Sequence, residues 1–74
     1  MQSFEIKLFI ANLEETFQVK EESPVGTFIV SQNQKFISRL YKDSDGKWKS
    51  REVSDISPNI LEAIGMEIEQ QVNS

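Results

Sequence analysis

The chain has 74 residues, eight Lys and Arg against twelve Asp and Glu, a formal charge of −4, and neither cysteine nor histidine. That length makes one domain near the lower limit for folding alone, a size that buries only about 60% of the surface its unfolded chain exposes. The missing residue types exclude thiol nucleophiles, imidazole bases, disulfides and the usual zinc, haem and iron–sulfur ligand sets.

Residues 4–11 open the chain with a period of two. Phe4, Ile6, Leu8 and Ile10 fall on one side and Glu5 and Lys7 on the other, the pattern of a half-buried strand. Asn12-Leu13-Glu14-Glu15 reads as a short connection, and a second strand is expected over 16–21 with Phe17 and Val19 on one face. Ser23-Pro24-Val25-Gly26 has turn composition, Pro fixing φ and Gly tolerating positive φ. Two further strands are expected over 27–32 and 36–42, separated by Asn33-Gln34-Lys35. Asp43-Ser44-Asp45-Gly46 is the strongest turn signal in the chain. It suits a type I turn closed by Gly46 in the left-handed region, with residues 48–53 as the return strand.

That loop predicts a register. With Asp43 opposite Lys47, Lys42 faces Trp48, Tyr41 faces Lys49 and Leu40 faces Ser50. One face then carries Phe36, Leu40 and Trp48. The other carries Arg39, Tyr41, Lys47, Lys49 and Arg51, with Ile37 and Val53 at its far end. A slip of one residue would set Trp48 beside Tyr41 and scatter the charges over both faces.

The C-terminal helix, expected over 58–72, is the best-marked element. Ser57 is placed as N-cap with Pro58 at the first helical position, and Ile56 and Leu61 are placed for a hydrophobic staple. Ile60, Leu61, Ile64, Ile68 and Val72 share an arc of about 120°, while Glu62, Glu69 and Gln70 point away, Glu67 lies at the edge and Met66 sits on the polar side. Gly65 falls mid-helix, at a cost of about 1 kcal/mol relative to Ala, and the compensation expected is close approach to a sheet aromatic. The composite is α+β: an antiparallel meander sheet of four to five strands with one C-terminal helix packed on one face.

Charge is distributed unevenly. Residues 35–51 carry +4 and the remainder −8, so the molecule should be electrically two-sided. Arg39, Tyr41, Lys47, Lys49 and Arg51, beside Ile37 and Val53, are the candidate partner-binding residues. The expected partner is a protein, either an acidic one or a second copy, and leftover apolar residues such as Phe9, Ile29 and Met66 favour such a surface where they are contiguous. The alternative is an accessory nucleic-acid-binding domain using the same basic and aromatic face, against which the acidic remainder argues.

Chemistry finds little support. Asp43-x-Asp45-Gly46 followed by Glu52 echoes part of a calcium-binding loop, but Tyr41 would occupy the first ligand position, the flanks read as strands, and Lys47, Lys49 and Arg51 would crowd a cation. Glu62, Glu67 and Glu69 lie on a helix face with no wall opposite to shift a carboxylate. The three glycines are too far apart for a phosphate-cradling loop. No catalytic residue, metal, cofactor or small-molecule ligand is therefore expected, and the reading is a non-enzymatic binding or regulatory module. No apolar run approaches the about 18 residues of a membrane span. Met1-Gln2-Ser3-Phe4-Glu5 also lacks a secretory n-region, so the expectation is a soluble cytoplasmic protein without membrane contact.

Overall fold

The computed structural model describes residues 3–22, 26–51 and 56–73. Among them, five strands form one antiparallel sheet in chain order: β1 (Ser3–Ile10), β2 (Leu13–Glu22), β3 (Thr27–Gln32), β4 (Lys35–Lys42) and β5 (Trp48–Ser50). A single helix, α1 (Pro58–Asn73), packs against β1, β4 and β5. The architecture is the expected α+β meander with its C-terminal helix. α1 thus touches both edge strands, β1 and β5.

Turn chemistry sets the strand limits. The β1–β2 ladder runs from Ser3↔Lys20 to Ile10↔Leu13, leaving only Ala11 and Asn12, at φ 52° and 67°, to reverse the chain. Two successive positive φ values make a type I′ turn, whose twist matches that of the flanking strands. The connection expected over Asn12-Leu13-Glu14-Glu15 is thus corrected: Leu13, Glu14 and Glu15 are already strand. Asn33 and Gln34, at φ 52° and 67°, repeat the device between β3 and β4. The β4–β5 loop is the one expected. Gly46 N donates to Asp43 O at 2.9 Å and Asp43 N to Lys47 O at 2.7 Å, with Gly46 at φ 87°. Leu40↔Ser50, Tyr41↔Lys49 and Lys42↔Trp48 follow, as expected.

One irregularity decides which side chains reach the core. Val30 pairs with Ser38 but the next residue, Ser31, pairs with Phe36, so Ile37 is an extra residue in β4. A bulge of this kind reverses the inside–outside alternation beyond it. Ile37, expected on the basic face, packs against the core. Phe36, expected on the core face, is 48% exposed on the other side. Both placements are corrected by the same residue.

The core joins Ile6, Phe17, Val19, Phe28, Val30, Leu40 and Trp48 of the sheet to Ile64 and Ile68 of the helix. Ser38 is fully buried among them, and its hydroxyl is satisfied by that of Ser50. At the start of α1, Ile60 N donates to Ser57 Oγ at 3.4 Å and Leu61 N to Ser57 O at 3.0 Å. Ile56 and Leu61 both pack against the core, so the cap directs the helix onto the sheet. Gly65 faces the Trp48 indole, the aromatic approach its position implied. Among the described residues, no helix is long and apolar enough to cross a membrane.

Candidate functional site

The helix leaves one face of the sheet uncovered, and directly paired residues share a face. Lys20, Ile29 and Arg39 therefore form one row across β2, β3 and β4, and Arg51 N donates to Arg39 O at 2.9 Å, extending it. Glu22, Thr27, Tyr41 and Lys49 form the adjacent row. Ser31 and Phe36 flank Ile29 on its other side.

Two cation–aromatic stacks organise this surface. The Arg39 guanidinium lies 5.2 Å from the Phe36 ring centre and that of Arg51 lies 4.6 Å from the Tyr41 ring centre. Such contacts are worth about 0.5–1 kcal/mol at exposed sites and hold the planar group in place. Arg39 Nε also donates to Glu22 Oε1 at 2.8 Å, and Arg51 Nη2 to Thr27 Oγ1 at 3.4 Å. Thr27, which accepts from Arg51, is 3% exposed although it belongs to the helix-free face.

The remaining expected site residues divide. Lys49 is engaged at the turn, its Nζ 2.6 Å from Asp43 Oδ2 and 3.9 Å from Asp45 Oδ2. The hydrogen bond from Lys49, then that from the Ser44 amide, holds the Asp43 carboxyl below its ordinary range, and the same pair raises Lys49. Asp45 Oδ1 accepts from the Lys47 amide at 3.1 Å. The two aspartates that echo a calcium loop thus serve turn amides and one lysine. Lys47 is exposed at the loop end, Ile37 is on the opposite face, and Val53 lies outside the described residues.

Ile29 was expected among the leftover apolar residues of this surface, but sequence reasoning missed Phe36 and Glu22 as its members. Glu22 was readable only through the β2–β3 register, which brings it beside Thr27 and within reach of Arg39. Phe36 depended on the bulge.

The helix side presents a second arrangement. Glu69 was expected to point into solvent, but its Oε1 accepts from Lys42 Nζ at 2.8 Å and from Trp48 Nε1 at 3.2 Å. The Lys42 bond first, and the indole bond second, lower its carboxyl below the ordinary range. An open cleft of about 310 Å³ adjoins them, bounded by Glu21, Phe28, Trp48, Ile68 and Val72. Its Lys42 and Glu69 neutralise each other, an arrangement that seats α1 on β4 and β5. Comparison with protein-family models, with curated proteins and with solved structures gives no match.

Proposed function

We propose that this protein is a non-enzymatic binding or regulatory module that docks a protein partner on the helix-free face of its sheet. The observation that carries the reading is the pair of stacks, Arg39 on Phe36 and Arg51 on Tyr41, set on either side of half-buried Ile29. Interface energy concentrates in Tyr, Trp and Arg anchors, and side chains already held by a ring or a carboxylate lose less freedom on binding. An apolar centre rimmed by guanidinium groups suits a partner segment that brings a carboxylate, to which an Arg fork can donate two hydrogen bonds. A cytoplasmic setting, in keeping with a cysteine-free chain, is part of this proposal.

The nucleic-acid alternative needs cations free to track phosphates. Lys49 is engaged by Asp43 and Asp45, and Arg39 by Glu22, which weighs against it.

The test is affinity capture from the native host with wild type, with Tyr41→Ala/Arg51→Glu, and with Met66→Ala on the helix as control. The reading expects a protein partner to be lost from the double variant and kept by the control, in a complex that tolerates salt. An identical partner list for all three overturns it. Binding to single- or double-stranded oligonucleotides that falls steeply with salt would support the alternative instead.

A further inference from the structure

β1 is an open sheet edge of a kind proteins usually blunt. Among the described residues its backbone bonds only to β2, and Ser3–Ile10 contains neither a proline nor a bulge. The opposite edge is managed in the usual ways: β5 spans just Trp48–Ser50 and is flanked by Lys47 and Arg51.

The β1–β2 turn settles which backbone groups face outward. A two-residue turn makes Ile10 and Leu13 the closing hydrogen-bonded pair, and bonded and non-bonded pairs alternate from there. Phe4, Ile6, Leu8 and Ile10 therefore spend their backbone groups on β2. Ser3, Glu5, Lys7 and Phe9 turn theirs outward.

The charges on this edge meet no opposite charge across the β1–β2 ladder. Glu5 and Lys7 lie opposite the neutral side chains of Gln18 and Thr16. Both are exposed, and among the described residues neither has an ion-pair partner.

We propose that β1 pairs antiparallel with β1 of a second copy about a two-fold axis at Ile6, joining two five-stranded sheets into one. In this register Glu5 lies opposite Lys7 of the second copy and Lys7 opposite its Glu5. On the core face Ile6 meets its own counterpart, and Phe4, half-buried in one chain, meets the equally half-buried Leu8 of the other. The pleat forbids shifts that would move the axis off a residue, since these exchange the two faces. Moving the axis to Lys7 sets lysine against lysine, and moving it to Glu5 sets glutamate against glutamate. Like charges directly opposite are destabilising, so the Ile6-centred register is the one the charges select. The assembly closes at two copies, because only the short, basic β5 edges remain outermost. This surface is separate from the Arg–aromatic face and does not rest on it. The two-fold axis runs through the sheet, so both copies of that face end up on the same side.

Sedimentation of the full chain up to millimolar concentration tests the proposal, together with amide hydrogen exchange. Wild type is expected to form a dimer in which the Glu5, Lys7 and Phe9 amides exchange more slowly as concentration rises. Glu5→Lys and Lys7→Glu should each weaken self-association about tenfold or more. An equimolar mixture of the two should recover it, because each chain then meets opposite charge at both positions. The Glu5→Lys/Lys7→Glu chain should dimerise like wild type. Exchange in wild type serves as the readout independent of any variant's folding. A wild type that stays monomeric, a mixture that fails to recover, or protection that appears at Tyr41 and Arg51 in place of β1 each overturns the proposal.

Discussion

Gly65 lies against the Trp48 indole with no room between them for a β-carbon. Alanine is the better helix former by about 1 kcal/mol, yet an added methyl would enter the ring of a side chain that is 7% exposed. Trp48 cannot yield freely, since its Nε1 donates to Glu69 at 3.2 Å and its ring is tilted against Phe28 at 5.9 Å. Overpacking costs about 1–3 kcal/mol and should prevail over propensity. Gly65→Ala is therefore expected to lower the urea midpoint, read by far-ultraviolet circular dichroism, a signal that does not depend on Trp48. Combined with Trp48→Leu, whose smaller side chain leaves space, the same substitution should cost much less, a coupling expected of residues in contact.

Ile37 and Phe36 are adjacent, and their substitutions should differ in cost. Ile37→Ala removes a side chain packed against the core and is expected to cost about 1–3 kcal/mol, below the range for full burial. Phe36→Ala, on the exposed face, should cost less than about 1 kcal/mol. Equal losses in chemical denaturation would contradict the bulge.

The same pair shows where the sequence stops being legible. The Asp43–Lys47 loop carries a Gly at its left-handed position, so its type, its register and the whole β4–β5 pairing could be read in advance. At the other end of β4, the turn at Asn33-Gln34 fixes Ser31 opposite Phe36. Core packing meanwhile demands Val30 opposite Ser38 and Phe28 opposite Leu40. The turn and the core hold β4 in phases one residue apart, and Ile37 absorbs the difference. No local feature of Phe36-Ile37-Ser38 announces this. Helix α1 was legible almost throughout because cap, staple and apolar stripe agree; Glu69 was misread because its partners, Lys42 and Trp48, come from a distant hairpin.

Turn residues without glycine also explain the misplaced start of β2, and they yield a stabilising change. Gln34 holds φ 67° with a β-carbon that crowds the following carbonyl. Gln34→Gly would create the Asn-Gly pair that type I′ turns favour. Relief of strain, reduced by the extra freedom glycine gives the unfolded chain, should leave a gain of about 0.5–1 kcal/mol. Gly46→Ala, at φ 87°, should destabilise by about 1 kcal/mol. A thermal melt distinguishes them: one midpoint should rise and the other fall.

Acid should loosen the helix from β5 through Glu69. Its carboxyl is held below the ordinary range, first by Lys42 and then by the Trp48 indole. The folded chain therefore binds that proton less readily than the unfolded chain does. A group depressed in this way contributes stability that is complete above its unfolded pKa and is lost as pH falls through its folded one. Between about pH 5 and pH 2, stability should thus decline more steeply in wild type than in Glu69→Gln. Native-state Trp48 fluorescence should titrate in the same acid window, since the proton arrives at the oxygen that accepts from the indole. Lys42→Met removes the larger cause of the depression, so that titration should move upward toward the ordinary carboxylate range while the indole bond remains. A Trp48 signal that titrates unchanged in Glu69→Gln would mean that another carboxylate, and not the Lys42–Glu69–Trp48 cluster, reports the acid transition.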